Sequence, residues 1–152
     1  MTEFLRKRKR LTRYEMFVLL FFTWRRRLGL MKIDIERDNR ANAHLITEFY
    51  EDGTIKIKYN SRRLAKWSYA LLLSGLFHEI GHIKNNFPYN TEEEKIYSEY
   101  RAELYSLKMV KRYYPSKVPE IVAYTKSKLK NYKWKKENPV HHAAFSKIKD
   151  YQ

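Results

Sequence analysis

Residues 71–84 read LLLSGLFHEIGHIK, which places two histidines and a glutamate in a stretch otherwise apolar enough to be part of a protein core. On a helix, His78 and His82 are one turn apart and about 40° apart around the axis, so both imidazoles can face one metal ion. Burying two histidines and a glutamate within one turn is unfavourable unless something pairs with them. The fold must therefore supply a partner for these side chains, and their spacing indicates a metal ion.

Glu79 lies between the two histidines in sequence but about 100° from His78 around the helix axis. This is a poor position for a third ligand, but a suitable one for accepting a proton from a metal-bound water. The spacing His-Glu-x-x-His is that of zinc-binding helices in which the glutamate is the general base. The alternative is a buried helix whose histidines are satisfied by hydrogen bonds alone.

The size and composition of the chain limit how such a site can be built. The 152 residues are expected to form one domain, with a basic N-terminal helix at 1–31, a core at 32–114 and C-terminal helices at 115–152. Because there is no cysteine, a metal site must use histidine and carboxylate, and a cytoplasmic location is the default expectation. The formal net charge of +15 favours acidic partners such as nucleic acid, anionic lipid or acidic proteins.

The N-terminal segment combines basic and apolar residues. The sequence RKRKR at residues 6–10 precedes an apolar stretch from Met16 to Trp24, which is far shorter than the ~20 residues needed to span a bilayer. No transmembrane span is therefore expected. Apolar residues recur every three or four positions from Tyr14 to Leu28, which predicts a helix that packs on the core. An interfacial membrane helix and a nucleic-acid-binding arm are the alternatives.

After Lys32, apolar residues alternate with polar ones instead of recurring every three or four positions. Alternating apolar residues predict three strands, at residues 33–35, 45–49 and 54–59. Asp52 and Gly53 predict a hairpin between the last two. We expect a small antiparallel sheet, whose edge strand either aligns an extended peptide substrate through backbone hydrogen bonds or serves only as a scaffold. His44 is interpreted as a surface or packing residue.

Two helices are predicted to follow the sheet. The first carries the histidines and ends near Asn86, and its internal Gly75 and Gly81 predict close approach by another element, because each costs about 1 kcal/mol in a helix interior. The second begins at Thr91, which starts a capping-box pattern, and ends near Tyr114. Two further helices are predicted, at residues 118–134 and from residue 138 onward.

The second helix offers candidates for a third ligand, since glutamates occur at residues 92, 93, 94, 99 and 103. If this helix returns antiparallel to the first, residues 96–100 lie at the depth of His78 and His82, at about 1.5 Å per residue. Glu99 is the glutamate in that window and is the expected ligand. Glu103 lies one turn beyond it on the same face, where it can accept a hydrogen bond from a ligand imidazole.

The sequence HEIGH at residues 78–82, followed by EYRAE at residues 99–103, resembles the gluzincin metallopeptidases. The likeness is to small single-domain members, including the minimal gluzincin-like peptidases and the ImmA/IrrE-like group, whose second motif is ExxAN. Glu99 matches the ligand glutamate and Ala102 the alanine, whereas Glu103 stands where the family has a smaller Asn or Asp. The resemblance covers roughly residues 43–110.

This resemblance implies an α+β, zincin-like domain with Zn²⁺ as cofactor and His78, His82 and Glu99 as its ligands. It also implies peptide hydrolysis in which Glu79 activates a zinc-bound water. Candidate hydrogen-bond donors to the transition-state oxyanion are Tyr97, Tyr100, Tyr105, His141 and His142. The rival interpretation is a basic module that binds nucleic acid or an acidic partner and in which the zinc site is structural or vestigial.

Overall fold

A computed structural model describes residues 10–152 of the chain. Within this range it has seven α-helices and one three-stranded sheet, which confirms the α+β class. The elements are α1 Arg13–Arg27, β1 Ile33–Arg37, β2 Leu45–Phe49, β3 Ile55–Tyr59, α2 Ser61–Leu64, α3 Tyr69–Asn85, α4 Glu92–Tyr113, α5 Val118–Leu129, α6 Tyr132–Glu137 and α7 Pro139–Ser146, with 3₁₀ turns at Pro115–Lys117 and Lys149–Tyr151. Residues 6–9, most of the basic RKRKR sequence, lie outside the described range.

The sheet has the strand order β1-β3-β2, so β2 is an edge strand. β2 and β3 form the predicted antiparallel hairpin, whereas β1 pairs in parallel with β3, which differs from the expected wholly antiparallel sheet. β3 carries the fully buried Ile57 and takes the central position, so β1 pairs with it rather than with β2. The pairing aligns Ile35, Ile57 and Thr47 in one row across the sheet.

α3 is the central helix of the core. Its buried apolar side chains form one broad face of the helix: Ala70, Leu72, Leu73, Leu76, Phe77 and Ile80. The helix begins after Ser68, whose hydroxyl accepts a hydrogen bond from the Leu71 amide, so the short helix α2 is separate from it. It ends at Asn86, which has a left-handed backbone conformation and donates its amide to the His82 carbonyl at 2.8 Å. The histidine helix thus ends directly after its second histidine turn.

α4 returns antiparallel to α3 after a short connection. It begins with the predicted capping box, in which the Thr91 hydroxyl and the Glu94 carboxylate each accept a hydrogen bond from the other residue's amide. The two helices touch closely at Gly81, where an added Cβ would lie 2.8 Å from the carbonyl oxygen of Ala102. At Gly75 the ring of Trp67 takes the space of a side chain, so the predicted close approach is confirmed at both glycines.

The remaining helices cover the two outer sides of this pair. α1 packs on the core through Phe17, Phe21 and Trp24, as its apolar period predicts. The single helix expected at residues 118–134 is divided into α5 and α6, because the side chain of Asn131 caps a new helix by accepting a hydrogen bond from the Trp134 amide. Within residues 10–152, no helix is both long and apolar enough to cross a membrane.

We predict that Gly81→Ala lowers the free energy of unfolding by about 1–3 kcal/mol, because the new methyl group overlaps the backbone of α4. Alanine is the better helix former by about 1 kcal/mol, so helix propensity alone predicts the opposite sign. Urea denaturation measures the change. Ser127→Ala, at an exposed position of α5, is the control and should match or exceed the wild type. A Gly81→Ala protein as stable as this control would contradict the close contact.

Candidate metal centre

α3 and α4 bring two histidines and one carboxylate together in a buried position. The Nε2 atom of His78 lies 2.8 Å from Oε2 of Glu99, and Nε2 of His82 lies 3.2 Å from the same oxygen. One nitrogen or oxygen of each residue lies within 4.8 Å of the other two, a spacing that one metal ion can bridge. The two imidazole nitrogens and one carboxylate oxygen suit Zn²⁺ as a donor set.

The other ring nitrogens of both histidines contact polar side chains of α4. Nδ1 of His78 lies 2.6 Å from Oε2 of Glu103, and Nδ1 of His82 lies 3.2 Å from the hydroxyl oxygen of Ser98. An ionised carboxylate can only accept, so the Nδ1–H of His78 is the donor to Glu103. A proton held on Nδ1 leaves the Nε2 lone pair for a metal, which is the usual arrangement around a ligand histidine.

Glu103 is itself held by a residue far along the chain. The hydroxyl of Tyr151 donates to Oε1 of Glu103 at 2.5 Å, and both residues are only 4% exposed. Both oxygens of Glu103 therefore have partners, one toward His78 and one toward the 3₁₀ turn Lys149–Tyr151. Sequence reasoning missed Tyr151, since no motif or period connects it to the histidine helix.

Glu79 faces the sheet rather than α4. The hydroxyl of Thr47, on β2, donates to Oε2 of Glu79 at 2.5 Å. Burial raises the pKa of Glu79 above its usual value, although the positive charges of His78 and His82 and the Thr47 hydrogen bond oppose the shift. A carboxylate with a raised pKa beside candidate metal ligands has the properties of a general base. Thr47 was also missed, because its place opposite Glu79 depends on how β2 packs on α3.

The described residues form a network of opposite charges around Glu99. Burial acts to raise the pKa of Glu99, but hydrogen bonds from His141 and the two α3 histidines hold it well below the usual range. Burial also acts to lower the pKa of His78, but the hydrogen bonds to Glu103 and Glu99 hold it well above the usual value. The network therefore stabilises the ionised form of Glu99 next to a positively charged imidazole. A divalent cation that displaces the imidazole proton supplies the same charge.

His141 is the predicted oxyanion donor that reaches this cluster. Its Nε2 atom, on α7, lies 3.2 Å from Oε2 of Glu99. The four other candidates have different surroundings: Tyr97 is 49% exposed and packs on Phe87, Tyr100 packs on the apolar cluster of Leu107, Ile148 and Tyr151, Tyr105 lies beside Gly81, and His142 contacts the carbonyl oxygen of Leu129.

Tyr89 is a further residue of the site that sequence reasoning did not identify. It lies in the connection between α3 and α4, and its hydroxyl donates to Oε1 of Glu99 at 2.9 Å. No helical or strand period marks a residue in such a connection, so only the neighbouring Pro88 and Asn90 are prominent in the sequence, as helix breakers. Tyr89 and His141 thus contact opposite oxygens of the same carboxylate.

Two cavities open from the site, and both are lined by His78, Glu79 and His141. The hairpin cavity, of about 550 Å³, lies between β2 and the connection that carries Phe87 and Tyr89. The helical cavity, of about 420 Å³, extends between the segment before β2 and the helices α2, α5, α6 and α7. The site is therefore accessible from both ends of β2.

The outer edge of β2 is available beside these cavities. The backbone amide of Asn60 donates to the carbonyl oxygen of His44, and that of Tyr50 to the carbonyl oxygen of Thr54. Because inward- and outward-facing backbone groups alternate along an antiparallel strand, these two bonds show which residues of β2 face β3. Residues 45, 47 and 49 consequently direct their backbone N–H and C=O groups away from β3. Within residues 10–152, no strand pairs with this edge.

We predict that Tyr151→Phe lowers the free energy of unfolding by about 1–3 kcal/mol, because Oε1 of Glu103 is left buried without its donor. Urea denaturation of chelator-treated protein measures the effect without a contribution from bound metal. Tyr132→Phe removes the same hydroxyl at a position that is 77% exposed and should be neutral. Equal stability of the two variants would show that the Tyr151 hydroxyl contributes nothing to the network.

Comparison with known proteins returned no match: no protein-family model, no curated protein and no solved structure matches this chain.

Proposed function

We propose that this protein is a zinc-dependent metallopeptidase of the gluzincin type. One observation supports this most directly: the Nε2 atoms of His78 and His82 approach the same oxygen of Glu99, at 2.8 and 3.2 Å. Two histidines and one carboxylate are the ligands of catalytic zinc sites that keep a position open for water or substrate. Imidazole ligands argue against Mg²⁺ and Ca²⁺, which prefer oxygen donors.

In this proposal each nearby side chain has a separate task. Zinc, when bound, would polarise a peptide carbonyl and acidify a water. Glu79 accepts the proton of the attacking water, and the Thr47 hydroxyl fixes the orientation of its carboxylate. His141 and Tyr89 lie beside Glu99 and are the candidates to donate hydrogen bonds to the oxygen on which negative charge develops. Glu103 keeps the Nδ1 proton of His78 in place.

An extended peptide is the substrate that suits the surroundings of the site. The free edge of β2 offers alternating backbone donors and acceptors, which can align a peptide as an additional strand. Such a strand passes Glu79, since Thr47 at the middle of β2 contacts this carboxylate. Side chains of the peptide can then occupy the hairpin cavity and the helical cavity.

We predict one zinc ion per chain and different effects of the two buried glutamates. Glu99→Ala should abolish zinc binding, because it removes a ligand, whereas Glu103→Ala should lower the affinity about 10- to 100-fold, because it removes only the partner of His78. Titration against a chromogenic chelator measures both affinities, and circular dichroism verifies folding. The reverse ranking would overturn the assignment of Glu99.

We also predict that Glu79→Gln keeps zinc and stability close to the wild type but lowers peptide hydrolysis about 10²- to 10⁴-fold, since only the proton acceptor is lost. Casein digestion with and without a chelator measures the activity. Glu93→Gln makes the same change at an exposed position of α4 and should remain active. Normal turnover by Glu79→Gln would exclude this mechanism. Zinc binding without any hydrolysis by the wild type would favour the basic binding module instead.

A further inference from the structure

The helical cavity extends from the candidate metal centre to a second group of side chains, which we call the basic end. It consists of Arg63, Lys128, His44, Trp67 and Trp134. These residues come from α2, α5, α6 and the segments next to β2 and α3, so the fold, rather than one sequence motif, brings them together.

The two cations of the basic end are held in place by uncharged groups. The guanidinium of Arg63 donates to the side-chain oxygen of Asn42 at 2.7 Å. The ammonium of Lys128 lies 4.5 Å from the ring centre of Tyr124 and 5.6 Å from that of Trp134. Within residues 10–152, neither cation has a carboxylate oxygen within 4.0 Å. Their positive charges are therefore available to a ligand.

His44 is the histidine of the basic end, and both its burial and the nearby positive charges affect its pKa. His44 stacks on Trp67 with ring centres 4.2 Å apart and planes 6° apart. Burial lowers the pKa of His44 to about 4, and the charges of Lys128, Arg63 and Lys66 add to the shift. His44 is thus neutral at pH 7. Its stacking on Trp67 is consistent with the packing role predicted from the sequence.

Among the described residues, few negative charges lie near the two cations of the basic end. Outside the candidate metal centre, Glu137 is the carboxylate that lines this cavity, and its side chain is exposed on α6. Two cations face one anion, so the basic end has a net positive charge. A carboxylate that enters this part-buried space gains charge-assisted hydrogen bonds from Arg63 and Lys128, while a substrate ammonium is repelled.

We propose that the basic end is a specificity subsite that binds a carboxylate of the peptide substrate. This inference rests on the proposed peptidase function. A peptide aligned along β2 with its scissile bond beside Glu79 reaches the helical cavity at the Leu45 end of the strand. The carboxylate is either an acidic side chain on that side of the scissile bond or the terminal carboxylate of a peptide cut near its C-terminus. The ring of Trp134 packs against the adjoining methylene groups, whereas one face of Trp67 is already covered by His44.

Cleavage of paired peptides tests the subsite. Short alanine-rich peptides carry a single Glu moved along the sequence, each is matched by a Gln peptide, and each is made with a free or an amidated C-terminus. We expect cleavage to favour Glu over Gln about 10- to 100-fold at one position, or the free over the amidated terminus by as much. The first result assigns an acidic side chain, and the second a terminal carboxylate.

Charge-removing variants assign the preference to the basic end. Arg63→Gln and Lys128→Gln should each reduce the preference ratio toward one. Arg62→Gln and Lys130→Gln remove the same charge at exposed neighbouring positions and should keep the ratio. Cleavage with equal efficiency for all pairs, or a ratio unaffected by Arg63→Gln and Lys128→Gln, would overturn the subsite while the peptidase function stands.

A binding measurement separates failure of the subsite from failure of the peptidase proposal. The zinc-loaded Glu79→Gln protein is titrated with the same peptides, with tryptophan fluorescence as the readout because Trp67 and Trp134 line the cavity. Tighter binding of a Glu peptide than of its Gln match, or of a free than of an amidated C-terminus, supports the subsite even if the wild type cleaves nothing, provided that the difference is lost in the double variant Glu79→Gln/Lys128→Gln. Equal binding of all peptides overturns it.

Discussion

The close packing of α3 on α4 is the constraint on which the site depends. At Gly81 the helices are too close to admit even a methyl group, and this contact lies between the turns that carry His78 and His82. Two antiparallel helices at this separation bring Glu99 between the two imidazoles. The buried charges then satisfy one another, which offsets the cost of removing them from water. The contact between α3 and α4 therefore both packs the two helices and brings the candidate ligands together.

Other elements hold this pair without supplying the three candidate ligands. β2 orients Glu79 through Thr47, and the region after α4 reaches back with His141 and Tyr151. A second apolar cluster around Leu107 anchors that region on the outer side of α4. The candidate ligands thus lie on two rigid helices, while the groups that tune them come from the sheet on one side and from later helices on the other. Such an arrangement limits rotation of the imidazoles and favours a preformed site.

The parts of this fold that local sequence specifies were predictable, and the parts that depend on tertiary packing were not. The period of α3, the capping box of α4 and the depth of Glu99 follow from spacing and helix geometry. The parallel pairing of β1 does not, because alternation defines a strand but not its neighbour. No local pattern marks Thr47, Tyr89 and Tyr151 as residues of the site, since each contributes one hydroxyl whose partner is distant in sequence or lies on another element.

The hydrogen bond from Tyr151 to Glu103 also joins two residues that are made at different times during protein synthesis. It joins residues 48 positions apart, whereas the contacts between α3 and α4 at the site join residues 16 to 25 positions apart. At ordinary translation rates the later 48 residues take about 2–10 s to appear. During that interval the growing chain contains both histidines, Glu99 and Glu103, but His141 and Tyr151 have not yet been made. The growing chain therefore acquires the candidate ligands, together with the Ser98 and Glu103 side chains that hold the histidines, before the two later side chains that complete the network.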